Sequence, residues 1–141
     1  MGAITGYDPE QGARWALLVG VGDYPSQSGF ARLPCAGTDV EALAETLRGG
    51  PTPYTVRTLH DAQPDPADRP TLGNLKAELT RITGLAGPSD LLLVYFSGHG
   101  LARGEQTWLM PSDGRRDQPD DTGLEVGWLR ARVASAGAAV R

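Results

Sequence analysis

The residue of this sequence best suited to chemistry is His99, which lies between Gly98 and Gly100. It follows six consecutive apolar residues, 91–96, and this pattern predicts a strand buried on both faces of a parallel sheet. Open α/β sheets place their functional residues beyond the carboxyl ends of such strands. Imidazole titrates near neutral pH, so a histidine presented there can act as a general acid or base. The alternative is an ordinary loop histidine that follows a strand.

Further segments favour the functional interpretation of His99. Residues 14–24, Arg-Trp-Ala-Leu-Leu-Val-Gly-Val-Gly-Asp-Tyr, predict a second buried strand that ends in a glycine turn. Residues 33–43, Leu-Pro-Cys-Ala-Gly-Thr-Asp-Val-Glu-Ala-Leu, predict the start of a helix. Together with Phe-Ser-Gly-His-Gly at 96–100 and Trp-Leu-Met-Pro-Ser-Asp at 108–113, they resemble the caspase and metacaspase family of cysteine endopeptidases.

The resemblance implies a caspase-like α/β fold, a three-layer sandwich in which helices cover both faces of a mostly parallel sheet. The alternation of predicted strands and helices favours the same architecture. We expect a flexible lead over residues 1–13 and one caspase-like domain over 14–141. The implied activity is that of an enzyme, a hydrolase that cleaves peptide bonds in a protein or peptide substrate.

The resemblance also assigns roles to three residues. His99 corresponds to the family's proton-transferring histidine, and the amide of Gly100 to a donor that helps to bind the oxyanion. Asp39 corresponds to a metacaspase aspartate that holds the basic substrate residue before the cut, which implies cleavage after Arg or Lys. A carboxylate there would make charge-assisted hydrogen bonds to that side chain. Alternatively, Asp39 is only an acidic first-turn residue favoured by the helix dipole.

The nucleophile is the missing part of the pattern. In caspases the cysteine lies about 50 residues after the histidine, whereas this sequence reaches only Arg141. The one cysteine, Cys35, is better interpreted as a small buried hydrophobic residue than as a nucleophile. Residues 128–141 resemble the helix and the lead into the strand that carries an Asp-x-Cys motif. We therefore expect a domain that is truncated before the nucleophile strand and that is inactive alone. Its expected partner is the missing C-terminal segment or downstream domains. The alternative is a catalytically dead caspase-like scaffold or regulatory module.

An acidic loop over residues 113–121 offers a candidate metal site. Asp113 and the pair Asp120 and Asp121 resemble the calcium ligands of calcium-dependent metacaspases, although their spacing is shorter here. Calcium prefers several oxygen ligands on a flexible segment. A solvated acidic loop is the favoured alternative, so we expect no required cofactor and keep calcium as the candidate ligand.

Composition excludes several classes of protein. The net charge is −4 and the basic residues are scattered, which argues against binding to nucleic acid or to an anionic membrane. One cysteine excludes an internal disulfide framework and favours a reducing, cytoplasmic location. No signal peptide or membrane-spanning apolar run is evident. All basic residues except Lys76 are arginine, a bias that suggests a bacterial, GC-rich genome.

Hydrophobic periodicity predicts the remaining elements. Strands are expected at 15–21, 54–59 and 107–110, and helices at 38–48, 71–85 and 126–136. Thr38 and Glu41 have the spacing of a capping box at the start of the first helix. His60 is expected to be an ordinary surface residue.

Overall fold

Parallel strands and helices alternate along the first two thirds of the structure, a computed structural model that describes residues 6–141. These elements are β1 (Arg14–Gly20), α1 (Ala36–Gly49), β2 (Thr55–His60), α2 (Leu72–Leu85) and β3 (Leu91–Ser97). They are followed by β4 (Gly100–Arg103), β5 (Gln106–Leu109), α3 (Pro119–Thr122), β6 (Leu124–Glu125) and α4 (Val126–Ala134).

The main sheet has the strand order β2-β1-β3, and both pairings are parallel. In register, Gly20 lies level with His60 on one side and with Ser97 on the other. The carboxyl ends of the three strands therefore meet at one edge of the sheet. The strands that lead to Gly20 and to His99 are thus neighbours in one parallel sheet, with β1 as its central strand.

Helices cover both faces of this sheet, as the caspase-like architecture requires. On one face, Ala16 and Leu18 of β1 pack with Val40 and Ala44 of α1. On the other face, Leu17 and Val19 belong to a larger apolar cluster whose other members include Leu75, Leu79 and Ile82 of α2. Side chains alternate between the faces of a strand, so β1 is buried from both sides. The helix predicted at 71–85 from hydrophobic periodicity is confirmed.

Burial of the strand before His99 differs from the sequence-based expectation. Of the residues in β3, only Leu92 is buried, and the others are partly exposed. The reason is that β3 pairs fully with β1 alone. Its other edge makes one parallel bridge, between Leu91 and Val140, in which the Leu92 amide donates to the Val140 carbonyl at 2.8 Å. An apolar run indicates a buried strand but cannot show which edge has a neighbour.

Beside this edge of β3 lies an open apolar groove with a volume of about 490 Å³. Its walls come from β3, β5 and α4, with Phe96, Leu109, Leu129 and Val133 among the lining residues. We call this feature the β3 groove.

A second, antiparallel sheet follows the main one, with the order β4-β5-β6. Sequence analysis found β5 but missed β4, whose Gly-Leu-Ala-Arg sequence has little intrinsic strand preference. The hairpin between them turns at Gly104, which has a φ of +61° that favours glycine. Pairing with β5 therefore makes β4 a strand. Two further short elements were not predicted: α3 overlaps the end of the expected acidic loop, and β6 follows that loop.

The predicted capping box at the start of α1 is wrong. The helix begins at Ala36, and its N-cap residue Cys35 makes no capping hydrogen bond through its side chain. Glu41 instead accepts a hydrogen bond from Nε2 of His60 at 2.7 Å. His60, expected at the surface, is only 7% exposed because the carboxyl end of β2 packs against α1.

Asp90 anchors the segment that precedes β1 to the turn that precedes β3. Its carboxylate accepts hydrogen bonds from the amides of Ala13 and Gly87, at 2.8 and 2.7 Å, and from the indole of Trp15 at 3.0 Å. The Gly87 and Trp15 hydrogen bonds lower the pKa of Asp90 below its usual value.

Part of the expected flexible lead, residues 1–5, lies outside the described residues. Within residues 6–141, no helix combines the length and apolar character needed to cross a membrane.

Candidate active site

The topology of the main sheet places its switch point beside His99. From β1 the chain passes through α1 to β2 on one side, and then returns through α2 to β3 on the other side of β1. The strand order thus reverses between β1 and β3, and ligands of open α/β sheets bind outside the strand ends at such a point. His99 lies two residues beyond the end of β3.

The imidazole of His99 has a defined orientation. Its Nε2 atom lies 2.8 Å from the carbonyl oxygen of Ala31, in the loop between β1 and α1. A carbonyl can only accept a hydrogen bond, so Nε2 carries the proton and Nδ1 of the neutral ring is an acceptor. Nδ1 makes no hydrogen bond within residues 6–141. The ring also stacks on Phe30, with 5.2 Å between ring centroids and 27° between planes. This is the arrangement of a histidine held ready to take or give a proton at Nδ1.

Tyr24 contacts His99 in two ways. Its hydroxyl accepts a hydrogen bond from the His99 amide at 2.9 Å and donates one to the Met110 carbonyl at 2.8 Å. Its ring meets the imidazole edge to face, with 4.9 Å between centroids. Burial raises the pKa of Tyr24 to about 12, which keeps the phenol neutral. Sequence analysis missed this role, and the only signal was an aromatic residue directly after the glycine turn of β1.

The two glycines beside His99 serve different purposes. A Cβ atom on Gly98 would lie 2.8 Å from the Tyr24 hydroxyl oxygen and 2.9 Å from Cζ of Phe96. Close packing therefore requires glycine at position 98. Backbone conformation does not, since the φ of Gly98 is not positive.

Gly100 leaves its amide available to a ligand. The Met110 amide donates to the His99 carbonyl at 2.8 Å, which makes His99 and Met110 a hydrogen-bonded pair. The next pair, Gly100 and Leu109, is then of the non-hydrogen-bonded type, so the Gly100 N–H points away from β5. A main-chain N–H that binds an oxyanion must be free of a hydrogen bond within the sheet in this way.

Neither Cys35 nor Asp39 is joined to His99 in the structure. Cys35 is exposed, so its interpretation as a buried hydrophobic residue is wrong, and no hydrogen bond links its thiol to the imidazole in the described chain. Asp39 is exposed in the first turn of α1, and its carboxylate has neither an ion pair nor a side-chain hydrogen bond within residues 6–141.

An open cleft of about 550 Å³ lies at the carboxyl ends of β1 and β2. Three carboxylate residues, Asp23, Glu41 and Asp61, are among its lining residues, and Asp39 is not. We call this feature the acidic cleft.

The acidic loop does not gather metal ligands. Asp113 accepts a hydrogen bond from the Leu72 amide at 2.9 Å and so helps to cap α2. Asp120 and Asp121 are exposed in the first turn of α3. Among the described residues, no three His, Cys, Asp or Glu side chains are grouped to hold a metal ion. Calcium binding through this loop stays a prediction.

The fold and the site define an α/β protein with a histidine presented at the switch point of a parallel sheet. A family model described as the caspase domain matches residues 13–123. Because this match covers most of the chain, the protein belongs to the caspase domain family, which in general comprises cysteine peptidases. The matched range includes Asp39, His99 and Gly100. A comparison with curated proteins finds no match.

Proposed function

We propose that this chain is the histidine-bearing portion of a caspase-like cysteine endopeptidase domain that cleaves after Arg or Lys. The observation that carries the proposal is the hydrogen bond from His99 Nε2 to the Ala31 carbonyl. This bond fixes the tautomer that leaves Nδ1 as a base at the edge of the sheet.

In the proposed reaction, Nδ1 of His99 takes the proton of a cysteine thiol, and the thiolate attacks the carbonyl carbon of the scissile peptide bond. The Gly100 amide donates to the resulting oxyanion, a contribution of about 3 kcal/mol in comparable sites. The tetrahedral intermediate collapses when the carbon–nitrogen bond breaks and the imidazolium gives its proton to the leaving amine. Water then attacks the thioacyl enzyme, gives one proton to His99, and releases the acid and the thiol.

The nucleophilic cysteine comes, in this proposal, from sequence beyond these 141 residues. Two observations support this. The thiol of Cys35 is not hydrogen-bonded to His99, and Val140 already pairs in parallel with the free edge of β3. A strand that continued from Val140 along the β3 groove would end level with the end of β3, near His99.

The proposed preference for Arg or Lys rests on the charge of the surface around α1. Asp39 presents a carboxylate without an ion pair among residues 6–141 at the start of this helix. The acidic cleft holds three more carboxylates, although Asp23 is already paired with Arg32 and Glu41 with His60. A guanidinium or ammonium group binds favourably to carboxylates of this kind.

The test compares the 141-residue chain with the same chain joined to the downstream coding sequence, or mixed with it as a separate polypeptide. Fluorogenic peptides ending in Arg, Lys or Asp are the substrates, with calcium and with a chelator. We expect cleavage after Arg and Lys only when the downstream segment is present, and its loss in His99→Ala. Turnover by the 141-residue chain alone that disappears in Cys35→Ser would contradict the proposal.

The position of Cys35 also favours a second candidate, the catalytically dead scaffold. A stop codon directly after codon 141, together with no turnover in any mixture, would support that candidate over the peptidase.

A further inference from the structure

We propose that Tyr24 is a positioning residue, whose buried hydroxyl sets the main-chain position of His99 and thereby directs its imidazole toward Ala31. The expected effect of Tyr24 on peptidase activity rests on the proposed function. Its effect on the position of His99 is argued from the contacts of Tyr24 alone.

The hydroxyl of Tyr24 replaces a hydrogen bond of the sheet. In a hydrogen-bonded antiparallel pair, the two residues exchange two N–H···O bonds. Between His99 and Met110 only one of these is direct, from the Met110 amide to the His99 carbonyl. The other passes through the Tyr24 hydroxyl, which accepts from His99 and donates to Met110. The His99 amide and the Met110 carbonyl are therefore joined through the Tyr24 oxygen by two hydrogen bonds, where a regular pair would have one direct bond. The hydroxyl thus sets the distance between the main chains of His99 and Met110 at this point.

The surroundings hold the hydroxyl in place. Tyr24 is only 3% exposed, and the hydrogen of Gly98 faces its oxygen where a Cβ would lie at 2.8 Å. Loss of the hydroxyl therefore has two outcomes. Either the partly buried His99 amide and the buried Met110 carbonyl lose their partner, or the strands close to form the direct bond. In the first outcome the main chain of His99 is no longer held in place, and in the second it moves relative to Ala31.

The ring of Tyr24 also packs against the imidazole of His99 and so restricts its orientation. It meets the imidazole at 63° and 4.9 Å, while Phe30 stacks on the imidazole. The imidazole is thus held by two aromatic rings and by one hydrogen bond to a carbonyl, and Tyr24 contacts both the ring and the main chain of His99.

The test follows His99 by NMR in the ¹⁵N-labelled 141-residue chain, so it does not depend on peptidase activity. Tyr24→Phe removes the hydroxyl, and Tyr95→Phe is the matched control, since Tyr95 lies on β3 and has no hydrogen bond through its hydroxyl among the described residues. In the parent chain we expect the Nε2–H tautomer of His99. In Tyr24→Phe we expect mixed tautomers of His99 and about tenfold faster exchange of its amide, the equivalent of one lost hydrogen bond. Tyr95→Phe should match the parent chain.

A His99 tautomer and an amide exchange rate in Tyr24→Phe equal to those of the parent chain would overturn the proposal. If Tyr24→Phe fails to fold, 3,5-difluorotyrosine at position 24 keeps the ring and the hydroxyl but weakens the oxygen as an acceptor. The His99 amide and ring resonances should then shift, and unchanged resonances would overturn the proposal equally.

In a joined, active enzyme, Tyr24→Phe should lower kcat by up to about 100-fold with little change in KM, since small displacements of a catalytic group have effects of this size. An enzyme inactive in every form would refute the proposed function, and the NMR result would still decide the role of Tyr24.

Discussion

Ala31 and His99 are 68 positions apart in the sequence, yet the carbonyl of the first accepts the Nε2–H of the second at 2.8 Å. The loop after β1 and the turn after β3 are thereby joined at the carboxyl edge of the sheet. Because the loop supplies a main-chain atom, the contact does not depend on the side chain at position 31. It does depend on the path of the loop and on the position of His99.

Gly98→Ala should destabilise the protein and disturb His99. The added methyl group would meet the Tyr24 hydroxyl and Phe96 at 2.8–2.9 Å, and overpacking of this kind costs about 1–3 kcal/mol. The control is Gly100→Ala, whose Cβ would meet only the Trp108 carbonyl at 3.6 Å and should change stability by less than about 0.5 kcal/mol. Urea unfolding of both variants measures the difference in their free energies of unfolding. Equal midpoints would show that the turn at Gly98 accommodates a methyl group without loss of stability.

Asp90→Asn should lower stability and flatten its dependence on pH in the acid range. The hydrogen bonds from Gly87 and Trp15 lower the pKa of Asp90 in the folded state. Its stabilisation is therefore complete above the unfolded value of about 3.9 and is lost as pH falls through the lower folded value. At neutral pH we expect a loss of about 1–3 kcal/mol in the variant, because the charged acceptor is replaced by an amide.

Urea midpoints of Asp90→Asn and the parent chain, measured from neutral pH to pH 2, test this expectation. The two curves should converge as the parent carboxylate is protonated. Parallel curves over the whole range would show that Asp90 does not titrate with folding.

Cys35→Ser should change neither stability nor catalysis. The thiol is exposed and caps no helix amide, so the change in the free energy of unfolding should stay within about 0.5 kcal/mol. In the native state, one equivalent of a thiol reagent should react, and the alkylated chain should retain any activity that the downstream segment provides. A native thiol that resists the reagent would place Cys35 in a protected site.

Asp39→Ala should weaken cleavage after Arg and Lys much more than it weakens folding. If its carboxylate meets the substrate cation in a desolvated pocket, truncation costs about 2–5 kcal/mol in kcat/KM. Glu45→Ala is the matched control, as Glu45 is an exposed carboxylate on the same helix, farther from its start. The measurement is kcat/KM on an Arg-ending peptide in the joined enzyme. Equal values for Asp39→Ala and the parent would leave Asp39 as a helix-start residue only.

The framework of the site could be predicted because it depends on continuous apolar patterns. The run that ends at Gly20 and the run that leads to His99 each indicate one strand, and their glycine ends indicate one functional edge. The apolar stripe of α2 likewise follows from spacing along one helix.

The parts that were missed depend on contacts between distant segments. Local sequence cannot show that Glu41 would bind His60 rather than cap its own helix, or that a tyrosine hydroxyl would enter a sheet ladder. Nor can it show that β3 has a full neighbour on one edge only, since an apolar run looks the same at the centre and at the edge of a sheet.

The pairing of β1 with β3 has a consequence for folding kinetics. Arg14 pairs with Leu91, so the central strand must wait for most of the chain to emerge before this pairing forms. Parallel, non-local pairings of this kind form slowly, because loop-closure entropy is lost before the contacts are gained. The groups that orient His99 come from the segment directly after β1, so no short fragment can assemble them. We therefore expect the oriented histidine to arise late in folding and to be absent from nascent chains from which β3 has not yet emerged.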